Sequence, residues 1–578
     1  LRIEMGGDLF YRLSDTNGGV SELIGILAAA TILLLAFGSF TAMALPIGMA
    51  VFGLTVGVAT MTVRAGMMEI PAFALGLGGM VGLGVGIDYA LFVLARHREY
   101  LVRGVEPHEA AGLAVATAGR PVVFAGGTVV VSILGMAVAD VPFMTAGGIA
   151  VSIVVLIMVI ASVTLLPAFL GVAGQRLVRA GWLGRLRGAT AGAGSGSGWR
   201  RWIGHVNRHP VPYALGSAAL LIAATLPVLG LRVGLPDDGS LPVSRTERRA
   251  YDLVADGFGP GANGPLIVAV DLAGDAGVVD RVVAAVAADR GVASVAPALV
   301  DQTTGIATLV VFPTTGPQSR ATADTVNRLR ADVLPTAVGG SRALAHVGGA
   351  AAALSDVGQR TSERLPFFVA AVLALSFVLL TLVFRSVVVA LKAVLLNLLS
   401  IGATYGLMVA VFQWGWGGAL IGLTATVPIV SFIPMFLFAI LFGLSMDYEV
   451  FLLSRVREEY LRSGDNNTAI VRGIAGTARV ITSAALIMVA VFLSMAIADD
   501  PSSKMFGLGL ATAIFVDATV VRMVLVPATM TLLGRANWWL PGWLDRVLPQ
   551  GPVDVDGDTA GDPGAEPAGA AREFAQIS

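Results

Sequence analysis

Apolar residues in this chain fall into long unbroken runs rather than into the alternating or three-to-four-residue pattern of a soluble fold. A run of about 20 is what a hydrocarbon core demands of a spanning helix. Eleven can be marked, at residues 23–37, 42–63, 71–95, 122–139, 143–173, 211–231, 366–384, 387–414, 420–453, 480–498 and 505–533. Some exceed a straight crossing and require tilt or extension into solvent. Between the sixth and seventh runs the pattern changes: residues 266–272 and 307–312 read as strands, the second ending at Pro313, and residues 278–288 and 319–334 read as helices. The expectation is a mostly α polytopic membrane protein with a small α+β domain outside the bilayer.

Composition supports a bilayer as solvent. Of the 578 residues, 56% are hydrophobic and 13% charged, too few polar groups to cover a water-soluble surface. The net charge of −1 hides an uneven spread, because residues 175–210 hold Arg176, Arg179, Arg185, Arg187, Arg200, Arg201 and Arg208 and no acid. That segment is expected in the cytoplasm. Counting spans puts the loops with Arg96, Arg98, Arg103 and Arg120, and with Arg455, Arg457, Arg462, Arg472 and Arg479, on the same side. A basic run can also mark nucleic-acid binding, but a loop between two spans argues against such a partner. The chain has no cysteine, so disulfides and thiolate metal sites are excluded, and its five histidines are scattered without ligand spacing, so no metal is expected. Lys392 and Lys504 are the only lysines, and neither lies in G-x-x-x-x-G-K-[ST]. With no P-loop, uphill transport would draw on an ion gradient or another subunit.

The chain repeats itself. Gly86-Ile87-Asp88-Tyr89-Ala90-Leu91-Phe92 aligns with Ser445-Met446-Asp447-Tyr448-Glu449-Val450-Phe451, and at the same offset Arg98-Glu99 falls on Arg457-Glu458, Arg120 on Arg479, Asp140 on Asp499 and Pro142 on Pro501. Phe37-Gly38-Ser39 matches Phe384-Arg385-Ser386 at a smaller offset, the difference being absorbed around Trp414 and Trp416. Both copies run in one sense, which relates the halves by an axis along the membrane normal. The external domain closes with His346-Val347-Gly348-Gly349 and then Leu354-Ser355-Asp356; Glu4-Met5-Gly6-Gly7 and Leu13-Ser14-Asp15 read as the same element. By symmetry a leading helix and most of a first external domain, about 130 to 150 residues, would precede Leu1. The expected layout is a last strand and exit of that truncated domain at 1–20, a first transmembrane repeat at 21–174, and a basic loop at 175–210. A further span follows at 211–231, then the second external domain at 232–365, the second repeat at 366–534, and a tail at 535–578 that becomes acidic and disordered from Gly551. Trp538, Trp539 and Trp543 are placed as an interfacial belt.

Each repeat buries an Asp-Tyr pair in an otherwise apolar helix. An Asp at the centre of a span costs roughly 2.5 to 3.5 kcal/mol, which calls for a reason. Asp88 precedes Arg96 by eight residues, about 12 Å of helix, and Asp447 precedes Arg455 by the same spacing. Desolvation disfavours a charged carboxylate, which suits a group that takes up and releases protons. Neighbours on a helix point about 100° apart, so Tyr89 is expected to serve Asp447, and Tyr448 to serve Asp88. The competing reading is a pair of buried hydrogen bonds that pins two helices. Glu449 is either a further acid in the path or a group facing a wet cavity. Asp517 and Arg522 lie five apart, about 140° around an α-helix, so each is expected to seek a partner on another helix. Thr128, Ser132, Thr482 and Ser483 have back-bonding to their own helix as their default reading. Gly82, Gly84 and Gly86, with Gly443 in the second copy, are expected to permit close helix packing.

Gly84-Val85-Gly86-Ile87-Asp88-Tyr89, its counterpart Gly443-Leu444-Ser445-Met446-Asp447-Tyr448-Glu449, and Asp517-Ala518-Thr519-Val520-Val521-Arg522 resemble the MmpL family of the resistance-nodulation-division (RND) superfamily, over nearly the whole chain to about Gly534. The Arg-, Ala- and Gly-rich composition looks like that of a high-GC actinobacterium. The resemblance implies a duplicated RND-type bundle of twelve spans in full, with porter domains outside, that exports lipids or other hydrophobic molecules across the plasma membrane with protons as the coupling ion and no other cofactor. It implies a proton relay at Asp88, Tyr89, Asp447 and Tyr448, with Asp517 and Arg522 taking part. A serine of the family's fifth span falls near Ala125, leaving Thr128 or Ser132 to stand in. Accessory proteins or a homo-oligomer are partners it leaves open, beside the membrane lipids. Two other classes compete with it: a non-transporting sensor or scaffold of the same fold, and an intramembrane aspartyl protease, whose Y-D and G-x-G-D motifs on adjacent spans differ from the order seen here.

Overall fold

The computed structural model describes residues 3–7, 18–67, 69–177, 195–234, 237–423, 425–498 and 500–547. The Leu13-Ser14-Asp15 match, Asp499 and the acidic tail lie outside the described residues. Among the described residues, eleven helical segments are long and apolar enough to cross a membrane.

In the first half, α1 (Gly18–Phe37), α2 (Phe40–Ala65) and α3 (Ala72–Val102) are followed by a short α4 (Pro107–Ala114), α5 (Arg120–Leu134) and α6 (Pro142–Val163). An amphipathic α7 (Ser195–Arg208) buries Ile203 and Val206 against the bundle, and α8 (Pro210–Thr225) leads to the polar domain. There the helices are α9 (Thr246–Phe258), α10 (Val278–Ala287) and α11 (Arg320–Arg328). The second half comprises α12 (Ala350–Phe384), α13 (Val387–Met408), α14 (Ile433–Ser463), α15 (Asn466–Leu493) and α16 (Pro501–Val516), the last continuing as a π-helix over Asp517–Leu525.

The strands are β1 (Val233–Gly234), β2 (Leu266–Asp271), β3 (Val292–Val295), β4 (Leu299–Asp301), β5 (Ile306–Pro313), β6 (Leu344–Gly348) and β7 (Ile429–Val430). Antiparallel pairing gives the order β3-β5-β2-β6, with β4 also on β5, and Val268 sits opposite both Leu309 and Val347. Leu266, Val268 and Val270 point to one face, where Val278, Val282 and Val286 of α10 and Val326 of α11 bury them in a core of their own. The strand period of two sets that face. β1 and β7 pair in parallel, tying the entry of this domain to the start of α14.

Several expected boundaries move. The run read as 420–453 becomes a helix only at Ile433, because Gly415, Gly417 and Gly422 take left-handed backbone and turn the chain, and Ile429 and Val430 are drawn into β7. The span expected from Pro366 starts at Ala350 and runs 35 residues without a break. The one expected from 480 starts at Asn466. The run 143–173 is interrupted at Thr164. The helix expected over 319–334 is α11, a π turn at Leu329–Val333 and a last turn at Leu334–Val338. Residues 3–7, expected in a strand, form none; Met5 N–H donates to Thr246 Oγ1 at 3.0 Å, and Arg249 pairs with Glu4 at 2.7 Å, so this segment lies along α9. Of the three tryptophans assigned to a belt, Trp538 stacks on Tyr460 while Trp539 and Trp543 are exposed.

The duplication holds at the level of contacts. Arg98 donates to the Phe37 carbonyl at 3.3 Å, and Arg457 donates to the Phe384 carbonyl. Arg96 pairs with Glu99 at 2.8 Å, and Arg455 with Glu458 at 2.7 Å. Each central helix thus ends in the same clamp on the C-terminus of the helix two before it, satisfying carbonyls that a helix end leaves open.

Candidate functional site

Two helices run through the middle of the bundle. The apolar stretches of α3 and α14 are each 94% buried, against 67% or less for every other span. Phe92 of α3 packs edge-on to Phe451 of α14 with centroids 4.8 Å apart, so the two repeats meet along this seam. Glycines let α5 press close to α14 and α6 beside the seam. A Cβ on Gly443 would lie 2.7 Å from the Val129 Cα of α5, and one on Gly126 would lie 2.0 Å from Val159 and 3.4 Å from the Tyr89 ring.

All six residues singled out for a relay lie in this region, and all are buried. Tyr89 donates to Asp447 Oδ2 across the seam at 2.9 Å. Thr128 donates to its own-helix Ala125 carbonyl at 2.7 Å and faces Asp447 Oδ1 at 3.4 Å. Asp447, on the second half, is therefore held by donors of the first half. Asp88 faces the other way, beside the Tyr448 hydroxyl, and its Oδ1 has no partner among the described residues. Tyr448 also approaches Met488 Sδ at 3.9 Å. Ser132 lies one turn beyond Thr128, buried in α5. Thr482 and Ser483 bond back to the carbonyls of Ala478 and Val480.

Asp517 and Arg522 correct the sequence-based expectation that they would find partners apart from one another. They form a direct ion pair, with Arg522 Nη2 2.7 Å and Nε 2.8 Å from Asp517 Oδ2. The physical reason is the π-helix over Asp517–Leu525: hydrogen bonds that close every five residues bring positions i and i+5 to one face, which an α-helix does not. Arg522 does reach a second helix as well, donating to the Ser445 carbonyl and, at 3.2 Å, to Ser445 Oγ on α14. Its guanidinium sits 5.0 Å from the centre of the Tyr448 ring.

Around this pair lies further polar chemistry, of which sequence reasoning had singled out Glu449 and passed over Lys392, Asn397 and Ser400. Ser445 Oγ donates to Asn397 Oδ1 of α13 at 2.7 Å. A cavity of about 20 Å³ opens between Asn397, Ser400, Ser445, Tyr448 and Asp517, room for about one water. Lys392 and Glu449 are both buried, 7% and 4% exposed, and neither Lys392 Nζ nor Glu449 Oε1 has a partner among the described residues. A lysine inside an apolar run was signal enough to find Lys392. Asn397, Ser400 and Gly126 carry no comparable mark, because small and neutral polar residues are common in spans.

Residues 9–213 and 266–550 match the MMPL family. The chain belongs to the MMPL family. It is 38% identical over 568 residues to membrane protein YdfJ of Bacillus subtilis, covering 96% of this chain and 75% of that protein. It is 37% identical to the mycolic acid-containing lipids exporter MmpL11 of Mycolicibacterium smegmatis, over 90% of this chain and 55% of that one. An equal identity joins it to a Mycobacterium tuberculosis protein named haem uptake protein MmpL11, of which it covers 54%. The chain thus spans about half the length of both MmpL11 relatives. Among solved structures, SecDF of a Thermus species shares the fold, with a TM-score of 0.55 at 13% identity over 89% of this chain and 62% of that one. Membership of the MMPL family and eleven spanning helices make this a multi-pass membrane protein with an RND-like bundle.

Proposed function

We propose that this MMPL bundle drives export of lipids or similar hydrophobic molecules with protons moving inward through the Asp88–Asp447 site. The basic loops would face the cytoplasm and the sheet domain would lie outside, as the arginine distribution favours. The observation that carries the reading is the pair of buried aspartates, one from each repeat, facing across a single seam with Tyr89 already bonded to Asp447. Carboxylates are expensive in such a place, and two at matched positions serve a purpose that hydrophobic side chains would not. That cost also argues against a non-transporting scaffold.

Protonation of the site removes the charge that makes the Tyr89–Asp447 hydrogen bond strong. It weakens the hold of α3 on α14, and the repeats shift relative to each other. The 35-residue α12 transmits that shift, since it runs unbroken from the sheet domain into the bundle, and its Arg360 is bridged at 2.6 Å to Asp140 at the far end of the α5 segment. The lipid export named for one relative fits a substrate with an apolar body. In the full-length protein, Asp88→Asn and Asp447→Asn should each abolish export, read from the lipid extract of cells lacking the native copy, while membrane insertion stays normal. Full export by either variant would overturn the relay.

A further inference from the structure

Lys392 and Glu449 are two groups of opposite charge type buried in the bundle, and they form no ion pair with each other. Glu449 has Lys392, Arg522 and Asp517 as its charged neighbours, from α13 and from the π-helix, while Lys392 has Glu449. Among the described residues no hydrogen bond ends on Lys392 Nζ or Glu449 Oε1. A pair kept for structure would close to contact, because contact is what offsets the loss of hydration. Their depth is also matched. Glu449 stands six residues before Arg455, about 9 Å of helix, and Lys392 five residues after Val387, about 8 Å. Both lie between the Asp88–Asp447 site and the face that carries the basic loops.

The fold does not require charge here. The first repeat has Ala90 where the second has Glu449, and Leu45 where it has Lys392. The polar contacts beside them continue upward in the second repeat alone, through the Asp517–Arg522 pair to the small cavity at Ser445 and Asn397. From these placements we infer that protons leave the Asp88–Asp447 site toward the basic-loop face through Glu449, with Lys392 as the positioning residue that holds its charge, so that one repeat alone supplies the exit. The proton passes from the aspartic carboxyl to the Glu449 carboxylate and from there to water; Lys392 stays an ammonium throughout. This deepens the transport reading and rests on it.

The test is infrared difference spectroscopy of the full-length protein in oriented liposomes after a pH step applied on the basic-loop side. A carboxylic C=O band lost in both Asp88→Asn and Asp447→Asn reports the central site. Glu449→Gln should leave that band in place but slow its response roughly 100-fold. Lys392→Met should slow it too, and Glu449→Asp should retain most of the rate. The double variant Lys392→Met/Glu449→Gln separates this role from a structural one, since neutralising both partners restores a merely structural pair but leaves the exit closed. A wild-type rate in Glu449→Gln, or recovery in the double variant, overturns the inference. Absence of any band that depends on Asp88 and Asp447 would instead remove the proton site itself, and this exit with it.

Discussion

Set on one another, the two repeats agree at the seam and diverge just behind it. Where the second repeat has Asp517 and Arg522, the first has Met158 and Val163; where it has Ser445, Asn397 and Ser400, the first has Gly86, Ala50 and Gly53. The same contacts recur with opposite chemistry. In the second repeat Arg522 and Asn397 converge on Ser445. In the first, a Cβ on either Gly86 or Gly53 would lie 2.8 Å from the Met158 sulfur. A flexible, polarizable side chain fills the space that the other repeat lines with polar groups. The two repeats share a frame, and behind the seam only one of these matched sets carries charge. The Asp-Tyr pairs are shared, whereas the further polar and charged groups behind them stand on one side.

Converting the second repeat to the chemistry of the first gives the largest effect. Asp517→Met should abolish export and destabilise the bundle by about 3 to 5 kcal/mol, because Arg522 is left as a buried charge without its carboxylate. Asp517→Met/Arg522→Val should recover most of that stability, since a buried ion pair replaced by apolar groups is often close to neutral, yet export should stay absent. Denaturant unfolding in detergent and lipid extracts read the two properties separately. Export by the double variant would make the asymmetry ornamental.

This asymmetry was only partly legible beforehand. Asp88 and Asp447 stand out in the sequence because charge is so costly in lipid that its presence is informative. The bond between Tyr89 and Asp447 follows from helix geometry once two repeats are placed face to face. The Asp517–Arg522 pair was missed because it depends on a π-helix, and nothing in Asp517-Ala518-Thr519-Val520-Val521-Arg522 announces one. Strands β3 and β4 were missed for a different reason: their side chains are half-buried or exposed without alternation, so no period of two appears. The start of α14 was misread because residues 420–432 are as apolar as a span, and only the backbone of three glycines turns them aside.

A second divergence lies in how closely the seam helices approach their neighbours. Gly84 and Gly443 are equivalent, but a Cβ on Gly443 would meet the backbone of Val129, and one on Gly84 would meet side chains, the edge of the Phe492 ring at 3.3 Å and Met488 at 3.8 Å. A ring can yield by tenths of an ångström; a helix backbone cannot. Gly443→Ala should therefore cost about 1 to 3 kcal/mol and push α5, with Thr128, away from Asp447. Gly84→Ala should cost less than about 1 kcal/mol. Equal losses in denaturant unfolding would show that the two crossings are equally close.

The smallest effect concerns how the helices after the two seams begin. Asp465 caps α15; bonding from the Thr468 hydroxyl and, at 2.8 Å, from the Thr468 N–H holds its carboxyl below the usual carboxylate range. Glu106, at the matching position before α4, makes no such side-chain cap. A carboxylate cap stabilises only while ionised. Because the folded state depresses its pKa, the contribution of Asp465 is fully present above the ordinary Asp value of about 3.9 and is lost as pH falls through the depressed folded value. Amide exchange at Thr468 should therefore quicken in Asp465→Ala at neutral pH, and in the unmodified protein only under acid, whereas Glu106→Ala should leave the first turn of α4 unchanged at either pH. A cap effect at Glu106 as large as that at Asp465 would mean that both repeats start these helices in the same way.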